Sequence, residues 1–75
     1  MKAIIVDIDS TVATHEGIRG HHDYHLVSKD LPIPEMVDLV NNLSKHYQVF
    51  FVTGRPQSCF QDTIEWLHRQ FYFEF

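Results

Sequence analysis

The sequence has very little material for cross-linking. Its 75 residues hold one cysteine, Cys59. An internal disulfide is excluded, and so is a zinc site built from several cysteines. Such a chain suits a reducing, cytoplasmic setting. Basic residues are also scarce: six Lys and Arg stand against ten Asp and Glu, for a formal charge of −4. No basic run marks a surface stripe for nucleic acid, which argues against a stand-alone DNA binder. A nucleic-acid end stays open as a substrate, because one or two arginines can hold one phosphate. Long apolar runs are missing too. Ala3-Ile4-Ile5-Val6 is cut off by Asp7, far too short for a signal peptide or a membrane span, so no targeting segment and no membrane partner are expected. No repeat or low-complexity tract is present. What remains is an ordinary globular composition, 44% apolar and 13% aromatic, in one domain of modest size.

Lys2 to Ile8 reads as a strand. Its β-branched run lacks clean alternation, which suits a strand covered on both faces. Residues 10–33 read as an irregular excursion that holds Gly17, Gly20, Pro32 and four histidines. A connector of about two dozen residues is long, and loops of that size are usually functional or disordered. Pro34 then opens a helix running to about His46, with Glu35 in its first turn. Met36, Val40, Leu43 and Tyr47 repeat at helical spacing, and Val37 and Leu39 widen the stripe. Gln48 to Val52 reads as a second strand, ended by Thr53-Gly54-Arg55. Pro56 opens a second helix to about Gln70, with Phe60, Ile64, Leu67 and Phe71 on one face. The fold class is therefore α/β, with two strands paired in parallel through a helical crossover. Such a two-stranded sheet is a poor fold alone, since parallel sheets are normally wider and buried. The tail, residues 71–75, has four aromatics in five positions. It is expected either to pack on a partner chain or to reflect a frameshift or truncation.

Two clusters carry chemistry. Asp7 and Asp9 lie two apart at a strand end, so their side chains share one side, roughly 6–7 Å apart along the chain. Two carboxylates there are costly unless paired or bound to a cation. The pair suits phosphoryl transfer, one attacking phosphorus and the other moving protons. Mg²⁺ would screen the repulsion. The plain alternative is a strand end with two solvated aspartates. At the second cluster, Thr53 can donate to a phosphate oxygen, Gly54 lets the backbone come close, and the helix start adds free N–H groups. Arg55 can add a forked contact. The alternative there is a strand-to-helix turn with an N-cap threonine.

Ile4-Ile5-Val6-Asp7-Ile8-Asp9-Ser10-Thr11-Val12 resembles the first motif of the haloacid dehalogenase superfamily, an apolar strand followed by D-x-D-x-T. Phe50-Phe51-Val52-Thr53-Gly54-Arg55 resembles the second. Its T-G-R form is similar to the phosphatase domain of phage-type polynucleotide kinase/phosphatases, and the likeness runs to about Gln70. The resemblance implies a partial Rossmann-like fold over residues 1–75. It implies an aspartyl-phosphate on Asp7, with Asp9 as acid/base. Mg²⁺ would be held at Asp7 and Asp9, with Thr11, Thr53, Gly54 and Arg55 around the phosphate. The family usually has glycine where Ser10 stands, and serine is tolerated there if the backbone angle is not left-handed.

The family also needs a later Lys or Arg and a later acidic pair, and neither occurs here. Lys29 and Lys45 lie in the excursion and on the first helix, while Asp62 and Glu65 are expected to face solvent. The implied activity is hydrolysis of a phosphomonoester, a small molecule or a nucleic-acid 3′-phosphate end. Little turnover is expected from the isolated chain. The missing parts would come from self-association or a partner protein completing the sheet. The alternative is a truncated, non-catalytic relative that binds a partner through its open sheet edge and aromatic tail. His21 and His25 would form a metal pair only if their stretch were helical; a solvated loop covering the site is the simpler expectation. Cys59 is expected to be buried rather than reactive, and Trp66 to be a packing residue.

Overall fold

The computed structural model describes residues 2–75, so Met1 of the expected domain lies outside the described residues. In chain order the elements are β1 (Ala3–Asp7), β2 (Ala13–Thr14), a 3-10 helix (Tyr24–Lys29), β3 (Leu31–Pro32), α1 (Pro34–Leu43), β4 (Gln48–Val52), a short 3-10 turn (Gln57–Cys59) and α2 (Phe60–Gln70). β1 and β4 pair in parallel, with Ile5 opposite Phe50 and Asp7 opposite Val52. The excursion is not structureless. Within it, β2 and β3 form a small antiparallel pair, Ala13 opposite Pro32.

Local chemistry accounts for the element ends. α1 starts with Pro34 in its first turn, where a missing N–H costs nothing. It stops at Leu43, short of the expected His46. There the Ser44 backbone N–H donates to the Val40 carbonyl and the Ser44 hydroxyl donates to the Asn41 carbonyl at 2.6 Å. α2 begins at Phe60, after the 3-10 turn, rather than at Pro56.

The sheet has two unlike faces. Val6, Ile8 and Val49, with Ile4 and Phe51 beside them, pack against Val37 and Val40 of α1 and Trp66 and Leu67 of α2. On the opposite face Ile5 is 72% exposed and Phe50 53%. This corrects the expectation that β1 is covered on both sides: both helices lie on one side of the sheet. The helical stripes are correspondingly uneven, for Leu39 and Phe60 remain exposed.

The aromatic tail turns inward. Phe71 is buried in the core, and its ring centroid lies 4.9 Å from that of Phe51. Phe75 packs edge-on against Phe51 and stacks on His68. Asn41 staples this path from α1: its amide donates to the Gln70 carbonyl at 3.2 Å and its carbonyl accepts from the Tyr72 N–H at 3.3 Å. Tyr72 stays 86% exposed, while Phe71, Phe73 and Phe75 pack on their own chain's core. Burying a phenylalanine this fully is worth roughly 3–5 kcal/mol on truncation to alanine. No helix among the described residues is long and apolar enough to cross a membrane.

Candidate active site

β1 delivers Asp7 and Asp9 to the carboxyl end of the sheet. The chain then turns sharply, and the Ile8 carbonyl accepts from the backbone N–H groups of Thr11, Val12 and Ala13. Ser10 adopts φ 64°, in the left-handed region. The condition under which serine would replace glycine without cost is therefore not met. The strain is on the order of 1–2 kcal/mol. Val12 and Ala13, fully buried, hold the turn in place.

The two carboxylates have different surroundings. Asp7 is exposed and, among the described residues, has no hydrogen-bond or ion-pair partner. Asp9 is gripped. Arg55 donates to its two oxygens from Nη2 at 2.7 Å and Nε at 3.2 Å. The same Nη2 donates to Asp30 at 2.9 Å, and Nη1 donates to the Thr63 hydroxyl at 3.0 Å. Asp30 also receives a forked pair from Arg19, at 2.8 and 3.0 Å, and Arg19 approaches Asp9 at 3.7 Å. The backbone carbonyl of Asp30 accepts the Trp66 indole N–H at 2.7 Å. The side chains of Arg19, Arg55 and Asp30 are 1%, 2% and 0% exposed, and that of Asp9 is 28% exposed. Two arginines and two aspartates form a neutral quartet, so each buried charge has an opposite neighbour.

Electrostatics follow. Burial alone would raise the carboxyl of Asp9, but the hydrogen bond and charge of Arg55, then the charge of Arg19, hold it below its ordinary value. The hydrogen bond to Asp30 raises Arg19 above the ordinary arginine value. Asp9 is therefore an anion at neutral pH.

A cavity of about 230 Å³ lies over this end of the sheet, lined by Asp7, Asp9, Arg19, His21, Gly54 and Arg55, with Tyr24 at its side. It brings together four of the six expected site residues. Thr11 and Thr53 do not line it. Thr53 faces an adjoining apolar cavity, and its hydroxyl oxygen accepts from the Arg55 N–H at 3.1 Å. A Cβ at Gly54 would meet nothing within 4 Å, so the protein's own packing does not demand glycine there. The Arg55 fork, expected on a phosphate, is turned onto Asp9 and Asp30. The reason is charge: a buried guanidinium takes the nearest carboxylates.

Sequence reasoning missed Arg19 and Asp30. Their signal was weak, being one basic and one acidic residue inside a long excursion. The indole of a buried tryptophan needing an acceptor was a second hint. His21 and His25 do not form a metal pair: residues 21–22 lie in a turn, and no group of three His, Cys, Asp or Glu among the described residues could hold a metal ion. Cys59 is buried, with its thiol on the Pro56 carbonyl.

Comparison with known proteins adds two findings. A family model described as the polynucleotide kinase PNKP phosphatase domain matches residues 1–74. A solved structure titled "Structure of Pnkp1/Rnl/Hen1 complex" contains a chain that superposes with a TM-score of 0.86 at 23% identity. The match covers 97% of this chain and 25% of that one. This chain therefore spans about a quarter of the length of its structural relative. No curated protein matches the chain.

Proposed function

The chain belongs to the family of polynucleotide kinase PNKP phosphatase domains, of the HAD phosphatase type, and from that premise we propose that its cavity is a phosphomonoester site with Asp7 as nucleophile and Asp9 as proton carrier. The observation that carries this reading is the unequal treatment of two neighbouring carboxylates in one cavity. Asp7 is unpaired and open. Asp9 is oriented by Arg55. A nucleophile must reach phosphorus, whereas a proton carrier must be held in place.

In the first step an Asp7 oxygen bonds to phosphorus and the bond to the leaving oxygen breaks. Asp9 gives that oxygen a proton. In the second, water attacks the aspartyl-phosphate while Asp9 takes its proton, releasing phosphate and restoring Asp7. Its arginine partners keep Asp9 ionised, which favours the second role. Before the first, it must gain a proton as substrate arrives. Arg55 thus acts through Asp9. Gly54 leaves room for the phosphate, and the Thr53 hydroxyl hydrogen stays free to donate. Thr11 supports the turn.

Asp7 and the Asp9 carbonyl are hard oxygen donors that suit Mg²⁺, which would keep several waters there and lend charge against the phosphate. The quartet is neutral, so Asp7 leaves the cavity anionic. A further cation against the phosphate is then needed for turnover, and self-association or a partner supplies it. The bare sheet face around Ile5 and Phe50 favours a partner that covers it. The expected result is Mg²⁺-dependent binding of a phosphate mimic such as tungstate, lost in Asp7→Ala, with negligible hydrolysis of an aryl phosphate. Absence of binding would sink the site. Turnover by the lone chain that Asp7→Asn abolishes would sink its incompleteness.

A further inference from the structure

The two edges of the sheet are not equivalent. β1 and β4 form a two-stranded sheet, so each has one edge without a neighbouring strand. The tail follows β4: Phe73 lines a cavity with Gln48 and Val49, and Phe75 lines another with Phe50 and Phe51. The outer edge of β1 has no strand beside it along Ala3–Asp7 among the described residues. Edge strands are ordinarily guarded by internal charge, proline or a bulge. β1 has none of these between Ala3 and Val6. It is an edge built to pair.

Backbone alternation says which groups that edge offers. The Lys2 carbonyl accepts the Gln48 N–H at 3.0 Å, so Lys2 faces β4. Direction alternates along a strand, which sends the N–H and carbonyl groups of Ala3, Ile5 and Asp7 outward. An identical strand laid antiparallel satisfies all three when Ile5 stands opposite its own copy. Ala3 then faces the partner's Asp7, and Asp7 faces the partner's Ala3. With a slip of two residues, one of the three faces a residue outside β1. The contact is isologous, so whatever one end of β1 carries meets the other end twice.

Charge points to the same occupant. Lys2 and Asp7 flank the apolar run, both are exposed, and neither makes an ion pair among the described residues. At −4 per chain two copies repel overall, and opposite charges at the two ends of β1 are what a self-complementary contact then requires. The register also sets the partner's Lys2 opposite Ile8, level with the gap between Asp7 and Asp9. Its long flexible stem can turn over the strand end to the cavity. The chain's own cations do not serve there. Arg19 and Arg55 are held by Asp9 and Asp30. Lys29 ends the 3-10 helix and does not line the cavity. Lys45 lies beside Gln48, at the opposite end of β4.

We propose that β1 pairs antiparallel with β1 of a second copy of this chain about Ile5, so that the partner's Lys2 supplies the cation at the Asp7 cavity. The role of Lys2 rests on the phosphomonoester reading; the pairing does not. Sedimentation velocity of the 75-residue chain at high micromolar concentration should show a dimer. Ile5→Pro removes an outward N–H without touching the β4 ladder, and should show a monomer. Cross-linking reads the register. Facing Cα atoms in a hydrogen-bonded pair lie about 5.5 Å apart, within disulfide reach. Under oxidation Ile5→Cys should give a covalent dimer, whereas Ala3→Cys, which faces Asp7, should not. Cys59 is buried and stays out of the reaction. Tungstate binding to the dimer with Mg²⁺ should weaken about tenfold in Lys2→Ala, the scale of one charge-assisted hydrogen bond, and return in Lys2→Arg. Trp66 fluorescence reports that each variant stays folded. A monomeric wild type, or equal cross-linking of the two cysteine variants, overturns the pairing. A dimer whose tungstate affinity is unchanged in Lys2→Ala overturns the role of Lys2. Tungstate that fails to bind a chain cross-linked through Ile5→Cys overturns the phosphomonoester reading, and with it the role of Lys2, while the pairing stands.

Discussion

Asp7 and Asp9 are two residues apart on one strand, yet the two walls of their cavity are built on different principles. The Asp9 wall is braced. Arg55, Arg19 and Asp30 converge from three separate stretches of chain, and Trp66 ties Asp30 to the core. The Asp7 wall has no such support, and it continues into the bare sheet face at Ile5. Stability is concentrated on one wall and freedom on the other. The excursion is the source of the brace, so it does structural work that its irregular sequence conceals.

The contrast breaks most sharply at Asp30. Its carboxylate is fully buried and neutralises two buried arginines. Removing one partner of a buried pair typically costs about 3–5 kcal/mol, a large share of what so small a domain possesses. Asp30→Ala should therefore lower the thermal midpoint by well over 10 °C, since each kcal/mol shifts a domain this size by roughly 4–8 °C. Asp7→Ala should move it by no more than a few degrees, as exposed substitutions lie within about 0.5 kcal/mol. Melts followed by Trp66 fluorescence decide this. Equal midpoints for the two variants would mean that the brace contributes nothing.

A smaller effect is written in the pH dependence. The folded carboxyl of Asp9 lies below its ordinary value of 3.8, because the Arg55 hydrogen bond and charge outweigh burial. The unfolded chain then binds more protons than the folded one in that range. The stabilisation from Asp9 is full above its ordinary value and is lost as pH falls through the folded value. Wild-type stability should decline as pH drops below about 4, and Asp9→Asn should remove part of that slope. Urea titrations at pH 3, 4 and 6 measure it. An identical slope in Asp9→Asn would place the acid sensitivity elsewhere.

The sequence was readable where chemistry is local. The Ile4-Ile5-Val6 run, Pro34 and the Thr53-Gly54-Arg55 stop each mark an element from their own residues, and the parallel pairing follows from the helix between the strands. The brace was not readable. Arg55 meets Asp9 across 46 positions and Asp30 across 25, and no periodicity in the excursion says which carboxylate a guanidinium will choose. Arg55 therefore suggested a phosphate fork, although its donors are taken by protein. The inward path of Phe71, Phe73 and Phe75 was hidden for a similar reason. Four aromatics at residues 71–75 resemble a surface awaiting a partner unless the bend after Gln70, stapled by Asn41, is known.

The smallest prediction sharpens the contrast from within the braced wall. Ser10 follows Asp9 directly and is held at φ 64°, a region that glycine enters without penalty. Ser10→Gly relieves that strain but frees the unfolded chain, so the two effects partly cancel. A net gain of about 0.5–1 kcal/mol is expected, seen as a higher urea midpoint at unchanged slope. The gain should persist in Asp7→Ala, which shares no partner with the turn. It should shrink in Asp30→Ala. Without Asp30 the Arg55 and Arg19 guanidinia lose the carboxylate that fixes them, so Asp9 is held less firmly and the neighbouring backbone can relax out of the left-handed region more easily. Additivity with Asp30→Ala would show instead that the turn from Ile8 to Ala13 imposes the strain, and that the brace only inherits the position at which Asp9 is presented.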